Sequence, residues 1–157
     1  MTMKIQNRLP ISMLIMGTLL IFSCRPSKQI SHNITGSQKQ INERECINQV
    51  IALDDSLGKV RNYACETISL SETIQHYVDG MHQLNYRHCS KAFSTAFKKH
   101  RDTWVAMLAV TDHYPDLRGE MHVLFDQLET SDHADEFKSL LQTIWDTWAE
   151  VEAAMKE

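Results

Sequence analysis

The chain has 157 residues, 43% of them hydrophobic and 23% charged, with only five Gly and three Pro. A length near that of one domain and this balance exclude a disordered chain, a multi-span membrane protein and a fibrous repeat. Net charge is −4 overall, but residues 40–157 hold 20 acidic against 11 basic side chains, or −9. A domain that acidic is excluded as a nucleic-acid binder, which must neutralise phosphates with Lys and Arg.

Residues 1–23 read as a secretory signal. Lys4 and Arg8 supply a positive start, and Ile11–Phe22 is a 12-residue apolar run. That run is too short to cross a hydrocarbon core of about 30 Å comfortably. It ends in Ile21-Phe22-Ser23-Cys24. This segment resembles the bacterial lipoprotein signal peptide, with aliphatic Ile21, small Ser23 and Cys24 as the lipidated residue. Phe22 stands where that family usually has a small or aliphatic side chain. The resemblance implies cleavage before Cys24, a diacylglyceryl thioether on its sulfur and an acyl group on its amine. With Arg25 following, it implies the outer membrane, facing the periplasm or the cell surface. Each buried methylene contributes about 0.8 kcal/mol, so several chains together anchor stably. Residues 24–39 are then the lipidated Cys and a flexible polar tether of about 20 Å r.m.s. span.

From Gln40 onward the apolar period is helical almost throughout. It predicts an all-α antiparallel bundle of four to five helices over residues 40–157. The first helix, about 40–64, carries a seam of Cys46, Val50, Leu53, Leu57, Val60 and Ala64 at alternating spacings of four and three. The second, about 71–84, places Ile74, Tyr77, Val78, Met81 and Leu84 on one face, after a capping box of Ser69 and Glu72. The third, about 91–111, is capped by Ser90 and lines up Phe93, Phe97, His100, Trp104, Met107, Leu108 and Thr111. Tyr114-Pro115 interrupts the chain, because proline disfavours helix in the residue before it. A fourth helix is expected over about 116–128. A fifth is expected over about 134–155, capped by Ser131 or Asp132. No segment alternates with period two, so no sheet is expected.

With Cys24 taken by lipid, Cys46, Cys65 and Cys89 remain, and an envelope location permits a disulfide. Cys46 and Cys65 lie roughly 28 Å apart along one helix and cannot pair. The expected pair is Cys65 and Cys89, brought together if Glu66–Leu70 runs back extended along the second helix. Cys46 with Cys89, and no bond at all, are the alternatives.

No GxSxG, HExxH, CxxCH or catalytic-cysteine pattern occurs, so no enzyme and no cofactor are expected. No two histidines stand three or four residues apart, so no metal site is expected. The candidate binding residues fall in three sets. His100 and Trp104 share the apolar stripe of the third helix. Lys91, Lys98 and Arg101, with Arg87, form a basic stripe opposite it, while residues 112–157 hold 12 acids and 3 bases. Tyr114, Arg118, His122 and Trp145 form a possible recognition corner. The expected function is a membrane-anchored envelope lipoprotein whose helical domain docks an envelope protein through the basic stripe. One alternative is a periplasmic small-ligand or metal carrier built around His100. The mature chain is similar to small uncharacterised helical lipoproteins of bacteria. Residues 65–110 more faintly resemble the lysozyme-inhibitor type, which implies a second alternative, inhibition of an envelope hydrolase such as lysozyme.

Overall fold

Short connections between amphipathic helices force each helix to return beside its predecessor. The computed structural model describes residues 28–156. It is an all-α bundle of α1 (Lys28–Ala64), α2 (Leu70–Gln83), α3 (Lys91–Thr111), α4 (Met121–Leu128) and α5 (Ala134–Ala154). The signal segment 1–23 and Cys24 lie outside the described residues. The stretch expected to be a tether is helical from Lys28, so α1 runs unbroken for 37 residues, about 55 Å.

Side-chain contacts give the directions. Asp54 of α1 meets Tyr77 of α2, while Cys46 meets Cys89 beyond the far end of α2. Tyr77 packs on Trp104 of α3, and Ser71 bonds to Asp112 at the other end of the same pair. His100 meets Thr147, and Lys99 meets Glu150. Each of these neighbouring pairs is therefore antiparallel. The caps expected from the sequence form: the Ser69 hydroxyl accepts from the Glu72 amide and that of Ser90 from the Phe93 amide, both at 3.2 Å. Phe93, Phe97, Phe137, Leu70, Met81 and Met107 fill the centre with no accessible surface to speak of.

Three expectations are corrected. The seam on α1 is rotated: Leu53 and Val60 are exposed, while Ile47 and Asp54 turn inward beside Cys46 and Val50. The row 47–54–61 takes its place because Tyr77 pulls Asp54 and Arg61 toward α2. Gly80 opens α2 to this approach, for a Cβ there would lie 2.6 Å from the Leu57 tip.

The fourth helix begins at Met121, not near 116. The preceding segment is pinned to the α1–α2 turn by two backbone bonds, Leu70 N–H to Leu117 O and Gly119 N–H to Cys65 O, both 2.8 Å. Gly119 adopts φ +150° to make its bond, a conformation closed to most side chains. Glu120 then caps α4 by accepting from the Val123 amide at 3.1 Å.

The disulfide joins Cys46 to Cys89, and Cys65 is a free, buried thiol. Residues 63–68 fold into a tight turn, with Glu66 N–H on Tyr63 O and Thr67 N–H on Ala64 O, and do not run back along α2. The simple hairpin geometry therefore holds, and it places Cys89 beside the early part of α1. Closing this loop, with its sequence separation of 43 residues, is worth about 4 kcal/mol in the chain-entropy treatment. Urea denaturation with and without reductant should show a loss of that order on reduction. Non-reducing peptide mapping should recover a linked Cys46–Cys89 pair, with Cys65 alkylated only after unfolding.

Candidate functional site

The rotation of α1 points two charged side chains inward, two turns apart. Asp54 is buried and accepts the Tyr77 hydroxyl at 2.9 Å. The Arg61 guanidinium carbon sits 4.5 Å from the Tyr77 ring centre and 4.3 Å from that of Trp104. Contact with two aromatic rings stabilises a cation that is partly withdrawn from water. Its Nε and Nη2 donate to Asn62 Oδ1 at 3.3 and 3.1 Å. Among the described residues no carboxylate approaches within 4.0 Å of its nitrogens. Burial pushes Asp54 upward against the Tyr77 hydrogen bond, pushes Arg61 down, and raises the Tyr77 hydroxyl.

These groups form the back of a cleft of about 510 Å³ between the helices. Trp104 and His100 line its α3 side, Met121 and Phe125 its α4 side, and Ile144, Trp145 and Trp148 its α5 side. At the edges stand two ion pairs, Asp55 with Lys59 at 2.6 Å and Glu120 with His122 at 2.7 Å. The His122 hydrogen bond holds Glu120 below the usual carboxylate range. The chain has three tryptophans, and all three line this one cleft.

His100 is fully engaged. Trp104 Nε1 donates to His100 Nε2 at 3.1 Å, so that nitrogen carries the lone pair. Nδ1 carries the proton and donates to Thr147 Oγ1 at 3.0 Å, and the Thr147 hydroxyl donates onward to Thr143 O at 2.8 Å. Burial lowers the His100 pKa to about 4. Neither ring nitrogen is offered to a metal. Among the described residues no three His, Cys, Asp or Glu side chains cluster as a metal site requires.

The other candidates disperse. Lys91 and Lys98 edge an outer groove on α3. Arg101 does not extend their stripe into solvent: its side chain is 12% exposed, donating to the Tyr86 hydroxyl at 3.1 Å and to Asp102 at 2.6 Å. Arg118 is exposed and lies outside the cleft. His122 and Trp145 reach the cleft, but Tyr114 turns away to bond His133 Nδ1 at 2.9 Å. The corner expected from the sequence is therefore split.

Arg61 and Tyr77 were not singled out as site residues by the sequence reading, and Asp54, which beside Asp55 reads as solvated helix surface, is instead buried. Two signals pointed to them. Tyr77 lies among Ile74, Val78 and Met81, and a buried phenol needs a partner. Asp54 and Arg61 stand seven apart in register with Ile47. Comparison of the chain with family models, curated proteins and solved structures finds no match.

The low His100 pKa gives a testable pH dependence. Unfolding restores an ordinary value of 6.5, so the unfolded chain binds more protons between about pH 6.5 and 4. Stability should fall by about 3 kcal/mol across that window on this account alone. Denaturant titrations at pH 7, 5.5 and 4 should show native protein losing that much more than His100→Gln, whose amide does not titrate.

Proposed function

We propose that the chain is a lipid-anchored envelope protein that binds a small, largely apolar ligand in the cleft between its helices. The observation that carries this reading is the convergence of all three tryptophans with Asp54, Arg61 and Tyr77 on one cleft. Small-molecule sites are typically clefts of roughly 300–1,000 Å³, apolar over most of their wall, with a few placed polar groups. This cleft has that size and that composition. The metal form of the carrier reading is dropped, because His100 has both nitrogens committed. The docking reading through Lys91, Lys98 and Arg101 is the weaker one, because Arg101 is turned inward onto Tyr86.

The lipobox-like segment ending at Cys24 supports the membrane location. In this reading α1 is a stiff arm, beginning four residues after Cys24, that sets the distance between the acyl chains and the cleft. Cleft and anchor then act together, since confinement near the bilayer raises the local concentration of any ligand held there.

Native mass spectrometry of the full chain, extracted from membranes in mild detergent, tests both parts. The expected spectrum shows the lipid mass on Cys24 and a retained organic adduct. Trp145, 62% exposed at the mouth, can be removed at a stability cost within about 0.5 kcal/mol. Trp145→Ala should keep the lipid mass, lose most of the adduct and lose much of the ligand-induced change in tryptophan emission. A lipidated chain with no adduct, and with emission unmoved by the organic fraction of the envelope, would remove the binding reading.

A further inference from the structure

The cleft is not neutral in its demands. Asp54 is buried and already receives a hydrogen bond from the Tyr77 hydroxyl. The Arg61 guanidinium keeps its proton at any physiological pH. Two of its five N–H groups are accounted for, both on the single oxygen of Asn62. The Tyr77 and Trp104 rings, at 84° to one another with centres 5.3 Å apart, pack against one side of it and supply no counter-charge. The other cation lining the cleft, Lys59, is matched by Asp55. Of the Lys and Arg side chains lining the cleft, Arg61 is the one with no carboxylate within 4.0 Å among the described residues, and it is held against two aromatic rings.

We infer that the ligand is an apolar carboxylic acid, its carboxylate held by Arg61 and its body lying against Trp104, Trp145 and Trp148. This rests on the ligand-binding reading above and names its substrate class. A carboxylate matches a guanidinium fork in plane and charge, and two parallel N–H···O bonds fix its orientation. A phosphate dianion fits less well, since one guanidinium leaves the second negative charge unmatched near Asp54. Phe125, Leu141 and Ile144 also line the cleft and suit an apolar body. The ligand class is thus a monoanion with one polar terminus, aromatic or medium-chain aliphatic.

The test uses the full chain in nonionic detergent and six soluble probes: phenylpropanoate and octanoate, with the primary amide and primary amine of each skeleton. Binding is read by tryptophan emission against a detergent blank. At least one acid should bind about tenfold or more tighter than its own amide, with its amine weakest, as charge-assisted hydrogen bonds exceed neutral ones. Arg61→Gln should bring that acid down to its amide while leaving the amide's affinity unchanged. The comparison among probes is made on native protein, so it stands even if Arg61→Gln fails to fold. Equal affinity of acid and amide overturns the assignment of class but leaves the cleft as a binding site. Tightest binding by an amine overturns it in favour of Asp54 as the anchor. No response to any of the six overturns the class and the binding reading together.

Discussion

Tyr77 stands between Asp54 and Arg61, and the arrangement of the bundle turns on that contact. Its hydroxyl is bonded to one charge and its ring is covered by the other. Charges seven residues apart on a helix face the same way, so satisfying one through Tyr77 commits the other. That commitment sets the rotation of α1. It sends Leu53 and Val60 to the surface and brings Ile47 to the interior. The disulfide at Cys46 and Cys89 then closes the same pair of helices at its other end. Leaving a buried acceptor without its donor commonly costs about 1–3 kcal/mol, and more for a charged one, the same order as that covalent closure.

Two polar groups in the same cleft, the buried His100 and the partly exposed Arg61, behave differently. His100 is closed off: a donor from Trp104, an acceptor in Thr147 and a pKa pushed far below neutrality leave it a neutral structural element. Its network orients Trp104, whose face in turn carries Arg61. Arg61 is left open, charged, and matched only by an amide oxygen and two rings. Satisfied polar networks stiffen a core, whereas a cation with no carboxylate beside it is where the proposed ligand would bind. The histidine is thus part of the scaffold, and the arginine is the group the proposed ligand would meet.

The segment between α3 and α4 shows how backbone bonding can override local pattern. Residues after Pro115 have apolar spacing suited to a helix, yet Leu117 and Gly119 bond to the α1–α2 turn instead. This tie carries Cys65 into the interior and delays α4 until Glu120 can cap it. It also places His122 and Met121 at the edge of the cleft. A five-residue shift in the start of one short helix therefore decides which side chains border the cleft.

Helix existence, most helix limits, the caps at Ser69 and Ser90 and the absence of period-two segments were all legible in the sequence, because they depend on neighbours within one turn. So was the cluster of Phe93, Phe97, His100 and Trp104 on one face of α3. The rotation of α1, the choice of Cys46 over Cys65 and the union of Asp54, Arg61 and Tyr77 were not. Apolar periodicity cannot distinguish two faces of one helix when both carry aliphatic residues, and a pair of charges reads as solvated surface until a partner is placed beside it. Those choices depend on which helix lies opposite and in which direction it runs. Only the packed structure supplies that information, and with it the one cleft where three tryptophans and an unmatched guanidinium meet.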